Sequence, residues 1–558
     1  MATALQQTDD QDHFNDWPNE PGFDANYEER TPVELDVAGH IPAYAAGILY
    51  RTGPGRYSVD TEQGETFKLS HWFDGFSQTH RFQIIVSDDS PTSTRVFYNS
   101  RFSTDHLIEE VRRTGQLASI SFGQKRDPCK TVFQKVQSSY DPTDPSMHNI
   151  GVTLSINMPV IDGPYSGGEI NEVNGGRWTS ASGIKTLYGK TDTSNYKKID
   201  PETLEPIGLA TQANLHPQLD GPLSASHARS DPVTGSMYNF NLTFSPAPIY
   251  RIFCASASTG ETKILATFPG IPAYLHSLLL TEDYVLLCVW NSHVSPANFQ
   301  GSFLEAIQPY DPSKPATWYV VDRKGDRGLV ATYESSPFFC FHTINAWQEP
   351  SPSDQTKTDI VADLVTYGNI DILHQTLYEN MISNSPQAKA LVLAKQDISH
   401  ATFSRFRLPS VPSTPSTDTQ TAIVEWKEGR GLSPELPTMN PNLVTRKHRY
   451  TYAVVNRGES TFFDGIVKFD SETRKVLLWA HHAQSPGEPI FVADPNGSKE
   501  DDGVLLSVVL NGRTGKSFLL CLDAHNLTEL GRANVGGPVA FGFHGQHIPT
   551  RGVPTGDY

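Results

Sequence analysis

Val467-Lys468-Phe469-Asp470-Ser471-Glu472-Thr473 reads as a strand that runs into an aspartate and a short polar turn before another apolar run begins. An aspartate there can accept hydrogen bonds from the turn amides and close a hairpin. The same arrangement stands at Lys198-Ile199-Asp200-Pro201-Glu202-Thr203-Leu204, Tyr319-Val320-Val321-Asp322-Arg323-Lys324-Gly325 and Cys521-Leu522-Asp523-Ala524-His525-Asn526-Leu527. Phe253-Cys254-Ala255-Ser256-Ala257-Ser258-Thr259-Gly260 is a degenerate fifth copy. Positions 200 and 254, and 470 and 523, are separated by about the length of one four-stranded blade. The repeat suits a β-propeller, and it suits an assortment of unrelated hairpins equally well.

The chain has 558 residues with 42 Gly and 40 Pro, a composition that favours many turns and short strands. Beyond about 250–300 residues a single core gives way to several domains, unless a repeating ring spreads the core out. The net charge of −18 and a pI near 5.5 argue against a nucleic-acid partner and weaken attraction to anionic lipid. Five cysteines, Cys129, Cys254, Cys288, Cys340 and Cys521, form no CxxC pair, which fits scattered thiols in a reducing compartment. The amino terminus lacks a basic segment followed by an apolar one, and no apolar run reaches about 18 residues. A cytoplasmic, non-secreted protein is expected, with peripheral membrane or lipid contact left open; the sequence points to no protein partner.

Residues 1–33 are acidic and poor in apolar side chains, and are expected to form a flexible arm. Residues 34–558 read as one β-rich unit with inserted cap helices at about 103–115 and 372–395. Leu107, Ile108 and Val111 in the first, and Leu373, Leu377 and Met381 in the second, have helical spacing.

Four histidines, His227, His276, His342 and His544, sit in strand-like, largely apolar stretches far apart in the chain. A buried imidazole needs partners for its ring nitrogens, and one shared metal would satisfy all four. Inner strands of a propeller face one axis, so distant residues can meet there. For any single histidine a packing role is commoner, and spacing alone does not select this quartet. Glu435 and Glu488 lie in Pro-rich, apolar contexts; an acid can orient a ligand histidine through its other ring nitrogen. An all-imidazole shell is compatible with Fe, Cu, Zn or Ni.

From about Ile48 onward the chain resembles the carotenoid cleavage oxygenases, in particular their fungal torulene- and apocarotenoid-cleaving branch. The motifs are Gly47-Ile48-Leu49-Tyr50-Arg51-Thr52-Gly53-Pro54-Gly55, His71-Trp72-Phe73-Asp74-Gly75-Phe76, Phe341-His342-Thr343-Ile344-Asn345, Gly487-Glu488-Pro489-Ile490-Phe491-Val492, Glu500-Asp501-Asp502-Gly503 and Phe543-His544-Gly545. The resemblance implies an all-β, seven-bladed β-propeller with a helical and loop cap over the metal-bearing face, and one non-haem Fe(II) per chain. His227, His276, His342 and His544 match its four iron ligands. Glu435 and Glu488 match two of three carboxylates behind those ligands, and Asp192 falls at the third position, where the family usually has Glu. Asp is one methylene shorter, so an inward backbone shift or a bridging water is expected. Glu488→Gln is expected to weaken iron retention or activity without unfolding the protein.

The implied reaction is scission of a conjugated C=C bond by O2 to give two carbonyl products. Phe73, Phe102, Phe338, Trp347 and Tyr367 are candidates for an apolar substrate tunnel. Stilbene-cleaving relatives use a Tyr and a Lys to activate a phenol, and Phe102 occupies the Tyr position here, where a phenolic proton cannot be handled. A lipophilic polyene, torulene or a β-apocarotenal, is therefore the expected substrate. The alternatives are a resveratrol-type stilbene dioxygenase, retinyl-ester isomerohydrolase chemistry, and a non-catalytic propeller scaffold.

Overall fold

Every aspartate of the repeat caps the outer turn of a different antiparallel run of strands. In the computed structural model the Asp200 carboxylate accepts from the amides of Glu202 and Thr203, Asp322 from Lys324, Asp470 from Glu472 and Thr473, and Asp523 from His525. The hydroxyl of Ser256 does the same for Thr259 in the degenerate copy. Four residues after the capping side chain, Leu204, Gly260, Arg474 and Leu527 all adopt φ near +60°, the left-handed turn that lets the chain double back. The structure describes residues 12–87, 90–117, 121–124, 143–162, 184–244, 246–298, 302–394, 400–429 and 431–550.

The strands form an all-β, propeller-like set of sheets taken in chain order. Five sheets stand alone. They begin with Thr153–Ile156, Arg229–Ser230, Leu279–Leu280, Phe339–Ser351 and Pro434–Thr438, and each contains a four-stranded antiparallel run. The third gains an extra edge strand, Thr419–Thr421, parallel to Leu329–Ser335. Apart from a two-stranded hairpin of Ser58–Asp60 and Thr66–Lys68, the remaining strands make one ten-stranded sheet rather than two, so five separate blades are seen where seven are expected. The physical reason is the strand Val33–Gly39: it pairs with Ser90–Phe102 through one part and with Glu529–Asn534 through the other, fusing two runs by hydrogen bonds. In the same sheet the late strand His544–Pro549 pairs with the early strand Gly47–Arg56, so an early and a late segment of the chain are stitched together.

Aromatic pairs bridge successive sheets. Phe268 stacks on Tyr319 at 4.5 Å, Trp318 meets Phe406 at 5.1 Å, Phe403 stacks on Phe469 at 4.6 Å and Tyr452 meets Phe491 at 5.5 Å. Such pairs contribute roughly 0.5–1.5 kcal/mol each beyond their burial.

Two expectations about the periphery change. Residues 12–33 are seated rather than a free arm: Trp17 and Phe23 are buried, and the Asn19 amide donates to the Met381 carbonyl and the Thr461 hydroxyl. A few well-placed apolar side chains outweigh the acidic composition; residues 1–11 lie outside the described part. The helix expected at 103–115 spans Asp105–Thr114, burying Leu107, Ile108 and Val111 and ending on Gly115 at φ 68°. The segment 372–395 breaks into Ile372–Gln375, a 3-10 turn at Tyr378–Asn380 and Pro386–Leu393. Proline opens the last piece at a position where its missing N–H is harmless. Among the described residues no helix is long and apolar enough to cross a membrane, and Cys254, Cys288, Cys340 and Cys521 are free thiols. Cys129 lies outside the described residues.

Candidate metal centre

The four histidines come from four different sheets, each at or just before an edge strand of its sheet. His227 precedes Arg229–Ser230, His276 precedes Leu279–Leu280, His342 lies within Phe339–Ser351, and His544 opens His544–Pro549. Backbone contacts lace these segments: the His227 amide donates to the His276 carbonyl, and the Ser277 hydroxyl donates to the Phe341 carbonyl. All four rings are buried, and one ligand nitrogen from each lies within 4.8 Å of the others. The Nε2 atom of His544 is 3.0 Å from that of His227 and 3.2 Å from that of His342.

Three carboxylates stand behind three of the rings. Nδ1 of His276 lies 2.9 Å from both oxygens of Asp192, Nδ1 of His342 lies 2.5 Å from Glu435, and Nδ1 of His544 lies 2.8 Å from Glu488. An acceptor at Nδ1 places the proton there and turns the Nε2 lone pair inward. Among the described residues His227 has no carboxylate partner. Asp192 reaches His276 directly. The carboxylate is held by the Ser226 amide and hydroxyl and by the Tyr274 hydroxyl at 2.9 Å.

Burial, reinforced by the neighbouring rings, holds His227 and His544 well below the usual imidazole range, so both are neutral donors. Burial works against the charged form of Asp192 and Glu435, yet their hydrogen bonds win and keep both acids below the ordinary carboxylate range. For Glu435 these come from His342, the Tyr367 hydroxyl at 2.6 Å and the Leu436 amide. Burial pushes Glu488 up to about 7, against the Arg51 guanidinium at 2.8 Å and the Gly545 amide. Asp192 and Glu435, both held below the ordinary carboxylate range, place negative charge behind the rings, which a divalent cation would offset. Neutral imidazoles with inward Nε2 atoms and this charge fit a first-row divalent metal.

Over the rings lies a cavity of about 930 Å³ with an aromatic wall that includes Phe73, Phe122, Phe303, Phe341 and Phe543. His276, His342 and His544 form part of its lining. Of the tunnel candidates, Phe73 and Tyr367 line it; Phe102, Phe338 and Trp347 do not. Phe102 belongs to a core cluster with Tyr57 and Leu107 that backs Trp72 and Phe543 of the wall without lining the cavity itself, and Phe338 lies between Trp318 and Phe406. Trp347 faces His448 and the Arg405 guanidinium. It is five residues beyond His342, and a strand rise of about 3.3 Å per residue carries it some 16 Å away. The sequence reading missed Phe341, Tyr274 and Arg51. The signals were there: Phe341 and Tyr274 stand one and two positions before ligand histidines, and Arg51 is a charge in the apolar strand Gly47–Arg56.

The retinal pigment epithelial membrane protein family model matches residues 22–549. A carotenoid dioxygenase of Neurospora crassa is 40% identical over 96% of this chain and 92% of its own length. A torulene dioxygenase of Fusarium fujikuroi is 38% identical over 96% and 94%. Among solved structures, the cobalt-substituted apocarotenoid oxygenase of Synechocystis superposes with a TM-score of 0.68 at 21% identity, covering 95% of this chain and 98% of that one.

Proposed function

This chain belongs to the retinal pigment epithelial membrane protein family of carotenoid oxygenases, and from that premise we propose that it is a dioxygenase that cleaves a conjugated C=C bond of a carotenoid or apocarotenoid with O2. Two carbonyl products result. Torulene or a β-apocarotenal is the favoured substrate. The observation that carries this reading is the convergence of four buried imidazoles, three of which line a cavity with an aromatic wall.

His227, His276, His342 and His544 would hold one Fe(II), with Asp192, Glu435 and Glu488 accepting from Nδ1 of three of the rings and aiming their Nε2 atoms inward. Iron, when bound, supplies the activation of O2 at the coordination positions the imidazoles leave open. The rest of the chemistry is positioning. Phe73 and Phe341, 5.7 Å apart, present ring faces and edges to a polyene and keep water from it. The hydroxyls of Tyr274 and Tyr367 are committed to Asp192 and Glu435, and burial holds both phenols well above their usual range. Among the described residues no lysine lines the cavity, and Phe102 lies outside it. A Tyr–Lys pair for phenol activation therefore finds no support, which favours a polyene over a stilbene.

The ten-stranded sheet reads as two blades joined by Val33–Gly39, which makes a seven-bladed ring of residues 34–558 under the 105–114 and 372–393 segments. A lipophilic substrate implies contact with membranes or lipid at the cavity mouth from the cytoplasmic side.

The test is to load the protein with Fe(II) and incubate it with torulene, β-apocarotenals and resveratrol under O2, identifying products by mass. Paired carbonyl products from a polyene are expected. Cleavage of resveratrol alone overturns the substrate assignment, and the absence of O2 uptake with every substrate overturns the activity.

A further inference from the structure

We propose that Arg457 is a specificity-determining residue that grips the oxygenated end of an apocarotenoid. The substrate is then a polyene with a terminal aldehyde or carboxylate rather than a pure hydrocarbon. The inference rests on the carotenoid-cleaving reading and refines it.

Among the described residues that line the cavity, Arg457 is the one side chain with a permanent positive charge. Asp74, Asp192 and Glu435 also line the cavity, but each is already engaged, Asp74 by the amides of Phe122 and Gly123 and the other two by histidines. Arg457 is held in place from behind. Its Nε donates to Oδ1 of the buried Asp464 at 3.0 Å, and its Nη2 donates to the Asp464 carbonyl at 3.1 Å. Asp464 also accepts from the amides of Arg457 and Glu459. Among the described residues Nη1 has no acceptor. A guanidinium fixed on one edge, with donors left on the other, is pre-organised for a carbonyl or carboxylate oxygen.

Position supports the same reading. Glu435, the partner of His342, pairs across its hairpin with Val454. Arg457 is three residues further on, and an extended chain covers at most about 3.6 Å per residue, so its backbone lies within roughly 11 Å of Val454. Around it Ser433 accepts from Ala401 and offers its carbonyl to Asn456, bringing His400, Ser433 and Asn456 to one polar end of the lining. The same lining holds Phe122, Tyr274 and Phe303, whose rings lie 5.5–5.9 Å apart. Anchoring one end at a set distance from the histidines selects which double bond lies over them.

The experiment compares Arg457→Met with the Arg457→Met/Asp464→Asn double variant, which also removes the buried carboxylate that would otherwise lose its partner. Iron-loaded proteins are given a β-apocarotenal and β-carotene, and a separate assay follows quenching of tryptophan fluorescence by all-trans-retinoate. The expected result is about a tenfold loss of kcat/KM for the aldehyde and of affinity for retinoate, with hydrocarbon cleavage unchanged. The aldehyde products of the variants should also spread over more than one scissile bond, while Arg457→Lys keeps the single one. Equal losses on both polyenes, or no loss on the aldehyde, overturn the role of Arg457. If the wild type cleaves neither polyene, the activity assignment fails, and the retinoate measurement still decides the subsite.

Discussion

Both carboxylate oxygens of Asp192 lie 2.9 Å from Nδ1 of His276, so the shorter acid reaches the ring with no water between them. The Ser226 amide at 3.1 Å and the Tyr274 hydroxyl at 2.9 Å fix it there. In Asp192→Asn the amide nitrogen must face one of these donors if its oxygen serves His276. Metal retention should fall about 10–100-fold, read by metal analysis after dialysis against a mild chelator. Full metal occupancy in the variant contradicts the assignment.

Glu488 differs from Glu435 in what else it holds. Arg51 is buried and donates to the Glu488 carboxylate and carbonyl, so Glu488→Gln leaves a buried guanidinium without its counter-charge. Breaking such a pair costs on the order of 3–5 kcal/mol. The sequence reading expects loss of metal without unfolding, and the broken pair adds a loss of stability short of unfolding. Glu488→Gln and Glu435→Gln should lose metal to a similar extent, and only the first should lower the thermal midpoint strongly. Equal midpoints would falsify this distinction.

Phe102 belongs to the core and not to the substrate wall. Phe102→Tyr would bury a hydroxyl among apolar rings at a cost of roughly 1–3 kcal/mol. Turnover of polyenes should persist and resveratrol should remain intact. Appearance of resveratrol cleavage in this variant shows that the residue reaches substrate after all.

Lys197 gives the fold a pH dependence away from the metal centre. Its Nζ donates to the Ser103 carbonyl at 2.5 Å and to the Ser103 hydroxyl at 3.1 Å, and burial brings its pKa down to about 7. Unfolded, the amine holds its proton to about pH 10. Between pH 7 and 10 the unfolded chain therefore binds more protons at this site, and stability rises with pH; below about pH 7 the amine is charged in both states and that gain is lost. Relative to Lys197→Met, the wild type should gain on the order of a few kcal/mol from pH 7 to 9.5 by chemical denaturation. A gap that does not vary with pH rules this out.

The turn-capping aspartates at 200, 322, 470 and 523 were legible because their bonds reach only two or three residues along the chain. So were the four histidines and the three acids as candidates, once the resemblance had aligned the motifs, though not which acid backs which ring. Local sequence thus determined the strand-and-turn character, and the resemblance supplied the candidate metal-binding side chains. It did not determine which aromatic faces the substrate. Phe341 and Phe338 look alike as text, and only sheet packing turns one to the cavity and the other against Trp318. Nor could it show that Arg51 neutralises Glu488, or that Val33–Gly39 joins two runs of strands, since both depend on contacts between segments more than four hundred residues apart. Such contacts carry no periodicity of their own; they exist only after the ring has closed and burial has decided which polar groups must find each other.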